Sequence, residues 1–227
     1  MTRLCALVAV LAWGAATDAA AQAAAKAGRF EIGAGVEWLG AADLGSSDAT
    51  ETTPTGASSP LFSTATTLKS AIGFQAAVGI RITDAFEAQA IGAISEPALS
   101  TSISHDIEAS GDVTATENIR QYVIGGGLLW YLPVRTSPKL APFATGSVAY
   151  LRQLHEGKTL VATGQLYRVS GGVKYLFSER PASRFKGYGL RAEAGFAARV
   201  DGVAFDSRAR YSPWVAASIF ARFGSRR

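Results

Sequence analysis

The sequence predicts an all-β chain, an eight-stranded antiparallel up-and-down transmembrane β-barrel, and three observations carry that prediction. An export-type apolar stretch opens the chain, eight later segments alternate apolar and polar residues with period two, and aromatics recur near both ends of the apolar face.

Leu4 to Ala16 is an apolar run behind the single charge of Arg3, and Ala19-Ala20-Ala21 supplies the small residues a signal peptidase accepts. Residues 1–21 are therefore expected to be a cleaved secretory signal. The run is well short of the roughly 20 residues a helix needs to cross a bilayer. Cleavage removes one Arg and one Asp and leaves the net charge at +4. The single cysteine, Cys5, goes with the signal, so the mature chain offers neither a disulfide nor a thiol nucleophile. Residues 22–28 form a short N-terminal segment, 29–223 the barrel, and 224–227 a short basic tail with no room for a peptidoglycan-binding module. No later segment is long and apolar enough for a membrane helix, so any span is built from strands.

In the first strand Phe30, Ile32, Ala34, Val36 and Trp38 alternate with Glu31, Gly33, Gly35 and Glu37. Phe74 to Ile82 repeats the pattern, and a tight Thr83-Asp84-Ala85 turn leads into Phe86 to Ile94. The fourth segment runs Tyr122 to Leu132 and the fifth, weaker one Leu140 to Tyr150, with Pro142 near its start, where proline is tolerated. Tyr167 to Phe177, Tyr188 to Phe196 and Tyr211 to Phe223 complete an even number of strands. Short connections, Thr83 to Ala85, Pro133 to Lys139 and Ser178 to Phe185, alternate with mostly longer ones. The longer ones are Leu39 to Leu68, Glu96 to Glu117, Arg152 to Gly164 and Asp201 to Arg208. Short turns on one side and loops on the other are expected of an up-and-down membrane barrel.

Alternation alone leaves open a soluble, periplasmic lipocalin-like barrel with its apolar face turned inward. The aromatics favour the opposite orientation. Phe30 and Trp38, Tyr122 and Trp130, Tyr167 and Tyr175, and Tyr188 and Phe196 are each eight residues apart on the apolar face. At about 3.3 Å per residue and a tilt of about 40°, that spacing rises roughly 20 Å, close to the roughly 25 Å apolar band of such barrels. These pairs are expected to form two aromatic girdles with small and aliphatic residues between them. The other face carries Glu31, Arg81, Glu87, Arg168, Lys174, Arg191, Glu193 and Arg222. Inside a narrow barrel such charges persist only when paired, and both signs are present.

The signal, the eight strands and a last strand ending Val215, Ala217, Ile219, Ala221, Phe223 together resemble the small outer-membrane β-barrel family of opacity and OmpA-type surface proteins, over roughly residues 29–223. The last strand is the most specific part, since it matches the aromatic-terminated signal read by the barrel-assembly machinery. This chain departs from the pattern by continuing with Gly224-Ser225-Arg226-Arg227. The resemblance implies periplasmic chaperoning, insertion into the outer membrane of a Gram-negative bacterium, and a surface role that varies among members.

Chemistry is not expected. His105-Asp106 and His155-Glu156 are neighbours whose side chains point to opposite faces of a strand, and two isolated histidines give no metal-ligand spacing. Asp43, Asp48 and Glu51 lack the spacing of a Ca²⁺ loop. Gly125-Gly126-Gly127 lacks the Lys and helix of a phosphate cradle. No catalytic, metal or cofactor residue is assigned, and the scattered charges exclude a nucleic-acid footprint. The expected partners are outer-membrane lipid and lipopolysaccharide, with host or surface ligands at the loops. The leading expectation is a non-enzymatic barrel with a side-chain-filled lumen and a structural or surface-interaction role through four outer loops; a narrow porin-like channel for small or apolar solutes is the alternative, and an outer-membrane lipid or peptide hydrolase ranks below it.

Overall fold

A computed structural model describes residues 29–52, 56, 58–105, 111–134, 137, 139–155, 160–179, 183–203 and 208–224. The signal peptide, the segment 22–28 and residues 225–227 lie outside the described residues. The strands are β1 (Phe30–Leu39), β2 (Ala42–Thr52), β3 (Ser58–Leu68), β4 (Ala71–Arg81), β5 (Phe86–Ser95) and β6 (Ala98–Ser104). They continue with β7 (Val113–Asn118), β8 (Arg120–Tyr131), β9 (Leu140–Leu154), β10 (Val161–Glu179), β11 (Phe185–Asp201) and β12 (Arg210–Phe223).

Eight of these strands close an antiparallel barrel in the order β1-β4-β5-β8-β9-β10-β11-β12, with β12 returning to β1. Closure is continuous from Phe30 opposite Phe223 to Leu39 opposite Trp214, so no sheet edge is left open. Neighbours in the barrel are neighbours in sequence, which is the up-and-down connectivity expected from alternating short and long connections.

The short turns are fixed locally. The Thr83 hydroxyl accepts the Phe86 amide at 3.0 Å and the Ala85 amide at 3.3 Å, closing the β4–β5 hairpin as a Ser/Thr turn. The Ser183 hydroxyl does the same for the Phe185 amide at 3.2 Å. Gly187 sits at a bulge in β11 with φ 149°, and a Cβ there would overlap the Ser178 carbonyl oxygen. Glycine alone suits that position.

The long connections correct the sequence reading in one respect. Leu39 to Leu68 and Glu96 to Glu117 are not plain loops: they hold β2, β3, β6 and β7, which form a separate four-stranded sheet, β2-β3-β6-β7. This sheet prolongs β1, β4, β5 and β8 beyond the barrel rim. The physical reason lies in its composition. Strands such as Ser58–Leu68 and Ala98–Ser104 carry Ser and Thr on the face that leaves the apolar band, so the apolar–polar contrast that marks a strand disappears while β-branched Thr still favours extended backbone. Of the other two long connections, Arg152 to Gly164 shrinks to residues 155–160 because β9 and β10 run further than the alternating cores suggested, and the last, at residues 202–209, keeps its expected length.

The tight radius of the barrel depends on glycine on its inner side. A Cβ on inward-facing Gly125 would overlap the Val148 carbonyl oxygen and Ala149 on β9, whereas one on outward-facing Gly146 would meet nothing within 4 Å. Gly125→Ala is therefore expected to cost about 1–3 kcal/mol, the range for overpacking. Gly146→Ala should be neutral or slightly stabilising. Urea midpoints of the two variants in detergent check the difference, and equal midpoints would contradict the inward assignment.

Candidate functional site

The cross-strand register puts one side chain in two on the barrel's outer surface, and those side chains are apolar. Phe30, Ile32, Val36 and Trp38 of β1 face out, as do Phe74 and Val78 of β4, Ile124 and Leu128 of β8, and Val169 and Val173 of β10. All eight girdle residues named from the sequence, Phe30, Trp38, Tyr122, Trp130, Tyr167, Tyr175, Tyr188 and Phe196, lie on this surface, with Tyr122 half-buried. At the short-turn end Phe30, Phe86, Trp130, Tyr175, Phe177, Tyr188 and Phe223 make one ring. Its aromatic contacts run from Tyr175 to Phe177 (5.3 Å between ring centres), on to Tyr188 (5.8 Å) and through Phe185 to Phe223 (5.7 Å). Trp38, Phe74, Tyr122, Tyr150, Tyr167, Phe196 and Tyr211 ring the long-loop end. Between the rings no outward position of the described residues is charged. Charge resumes just past the long-loop ring, where Arg120 pairs with Glu96 at 2.6 Å.

Inside, the structure brings all eight charged residues named from the sequence into the lumen. Near the short-turn end the Lys174 ammonium reaches Glu31 at 2.6 Å, both Glu87 oxygens at 3.2 Å and the Tyr131 hydroxyl at 3.0 Å. Arg222 takes the other Glu31 oxygen at 3.1 Å, and Arg81 stacks on the Tyr131 ring with 4.3 Å to its centre. Higher up, Arg191 pairs with Glu193 at 2.9 Å and donates to Gln89 at 3.0 Å, while the Ser170 hydroxyl donates to Glu193 at 3.1 Å. Mixed signs in a narrow enclosure leave each carboxylate a cation within reach, which is what allows buried charges to persist.

The sequence reading passed over several members of this interior. Glu37 bonds Arg168 at 2.9 Å and accepts the Trp214 indole N–H at 3.0 Å. It shares the face of Glu31 six residues on, so parity alone could have placed it with the charged group. Trp214, Phe220 and Phe143 point inward as well, against the expectation that aromatics belong outside. They serve as platforms: Arg168 lies over Trp214 (4.8 Å), Arg222 over Phe220 (5.0 Å) and Arg191 over Phe143 (4.9 Å). The lumen is thus filled by aromatic and ion-paired side chains, not lined only by small residues. A cavity between Arg168, Arg191, Gln75, Gln89, Thr145 and Ser147 measures about 20 Å³. That is room for about one water.

At the long-loop end the extension sheet places Ala42, Leu44 and Leu68 on its inner side, packed against Leu99 and against Val203 of the β11–β12 connection. Its outer side carries Ser63, Ser100, Ser102, Ser104, Thr67, Thr114 and Thr116, in register with the apolar outward side of the barrel below. Asp43 accepts the Gly45 amide at 2.8 Å and Asp48 the Ser63 hydroxyl at 2.7 Å, so both serve the backbone and side chains of this sheet. His155 at the end of β9 contacts both Glu117 oxygens at 3.1 Å, tying β7 to the β9–β10 connection, a long-range pairing no sequence spacing announces. His105 follows β6 with φ 57°, and its neighbour Asp106, like Glu156, lies outside the described residues. Among the described residues no group of three or more His, Cys, Asp or Glu could hold a metal ion.

No protein-family model matches the chain, and no curated protein matches it either. Among solved structures it is similar to the outer membrane protein OprG from Pseudomonas aeruginosa. The identity is 14% and the TM-score 0.48, over 88% of this chain and 97% of that one. It is also similar to the outer membrane protease OmpT from Escherichia coli, at 8% identity and a TM-score of 0.37, over 85% of this chain and 96% of that one.

Proposed function

We propose that the protein is an outer-membrane β-barrel of a Gram-negative bacterium, non-enzymatic, with a closed lumen and a surface-interaction or structural role carried by its long-loop end. The observation that carries this reading is the uncharged outward band between two aromatic rings. In water such a surface would be far larger than the few hundred Å² of contiguous apolar patch that soluble monomers expose, whereas in lipid it is the required solvent-facing side. Export through a cleaved signal, chaperoning in the periplasm and insertion by the barrel-assembly machinery reading Val215, Ala217, Ile219, Ala221 and Phe223 complete the proposal. In support, those five side chains lie along the outward face of β12.

Lipopolysaccharide is the partner that suits the outer side of the extension sheet. Where the apolar band stops, Ser and Thr hydroxyls and the Arg120–Glu96 pair continue the same face, and sugars and phosphates are met by hydroxyls and cations. The barrel is expected to fractionate with the outer membrane and to migrate differently before and after boiling. Recovery as a freely soluble periplasmic protein with no heat shift would overturn the membrane reading.

The filled lumen supports closure over transport. In planar bilayers the purified barrel is expected to show negligible conductance. A steady open pore would remove the closed-lumen part of the proposal and favour a narrow channel.

A further inference from the structure

Two guanidinium groups stand side by side on the outer surface at the long-loop end. β8 turns Arg120 outward and β9 turns Arg152 outward, both exposed, each two residues beyond a tyrosine of the aromatic ring, Tyr122 and Tyr150. Arg152 lies opposite Tyr122 in register, and Arg120, opposite Leu154, is its diagonal neighbour. Diagonal neighbours on paired strands are about 7–8 Å apart, within reach of long side chains, so both arginines can hold one group between them. Glu96 engages Arg120 through its Nε at 2.6 Å. Across the next ladder Arg152 faces Thr163, with Gln165 opposite Tyr150. One carboxylate against two guanidiniums leaves this patch positive among the described residues. The outward positions of β11, β12 and β1 at the same end, Ala198, Tyr211, Pro213 and Trp38, are uncharged.

Below the patch the outward sides of the same strands descend through Ile124, Val148 and Val169, all exposed, to Gly126, Gly146 and Gly171, which add no side chain. A cationic and hydrogen-bonding head above a shallow apolar face matches an amphiphile with an anionic head. Guanidinium forks suit phosphate, which they can bind through two parallel hydrogen bonds. Thr163 and Gln165 beside them suit the hydroxyls of a sugar, which a simple phospholipid head does not carry next to its phosphate.

We infer, on the membrane reading proposed above, that Arg120 and Arg152 clamp one phosphate of lipopolysaccharide, whose acyl chains lie along the outward sides of β8, β9 and β10. Charge complementarity fixes the head, and the apolar track beneath it on the same three strands fixes the direction of the chains.

The test is lipid binding by the full barrel, refolded in non-ionic detergent, with bound lipid counted by native mass spectrometry. The lipids are diphosphoryl lipid A, the same lipid A with both phosphates removed, and phosphatidylglycerol. The parent is expected to bind diphosphoryl lipid A at one saturable site, at least about tenfold more tightly than either other lipid, the factor expected from a hydrogen bond to a charged group. Arg120→Gln with Arg152→Gln is expected to lose that margin. Lys139→Gln with Arg184→Gln removes two exposed cations at the opposite end and is expected to keep it. Arg152→Gln alone breaks no hydrogen bond among the described residues and decides the matter if the first double variant does not fold. No loss at Arg120 and Arg152, or an equal loss in both double variants, would overturn the clamp. So would equally tight binding of phosphatidylglycerol, which would make the patch a site for any anionic lipid. If the parent meanwhile fractionates with the outer membrane, such a result removes the clamp and leaves the membrane reading standing.

Discussion

Replacing Lys174 with Met is expected to destabilise the folded barrel by about 3–5 kcal/mol, the range for removing one member of a buried charge cluster. The ammonium is only 1% exposed and is shared by Glu31, Glu87 and Tyr131, carried on β1, β5 and β8, so it joins four strands at one point. Without it two carboxylates remain buried. Glu31 keeps its bond from Arg222, whereas Glu87 loses its cationic hydrogen-bond donor and keeps the neutral donors Gln89 and Tyr131. Methionine fills much of the same volume, so the loss would report charge and hydrogen bonding more than a cavity. The double variant Lys174→Met with Glu87→Gln is expected to recover part of the loss, because the orphaned charge is then gone. Urea titrations of parent, single and double variants give the coupling. A single variant as stable as the parent would mean that water screens the lumen and that it is not the filled, ion-paired interior described above.

The eight barrel strands were legible because each has two unlike faces, exposed and apolar outside, buried and largely polar inside, and period-two alternation is the direct imprint of that contrast on the sequence. Glu31 and Phe30 cannot exchange places without reversing every side chain on β1. The extension strands lacked that imprint. Ser102 and Thr114 face each other on a surface that is polar by either reading, so Glu96 to Glu117 looked like loop. The inner aromatics were hidden for a different reason. Trp214 and Phe220 alternate with Val215 and Ile219, and a rule that assigns all aromatics to the membrane face loses the ones that serve as platforms for Arg168 and Arg222. The bond from Arg199 to Gln121 across the lumen could not be read at all, because a partner on a distant strand is a property of the closed barrel and not of any one strand.

The same contrast gives the second large effect, and it separates a membrane barrel from a soluble one. Ala34 lies midway between Phe30 and Trp38 on the outer surface, opposite Ile219 and Ala76. In lipid vesicles Ala34→Arg is expected to cost about 2–4 kcal/mol, as an Arg does at the bilayer midplane. Thr114→Arg, on the outer side of the extension sheet beyond the aromatic ring, is expected to stay within about 0.5 kcal/mol of the parent, the usual result for an exposed surface position. The dependence on depth is the informative quantity, since both substitutions add the same side chain to an exposed β position. If the outer surface faced water, both variants would match the parent and Arg at position 34 would improve solubility. Urea unfolding of the two variants in vesicles therefore tests the solvent of the band directly. Equal free energies would remove the membrane from the proposed function while leaving the closed barrel and its ion-paired lumen as they stand.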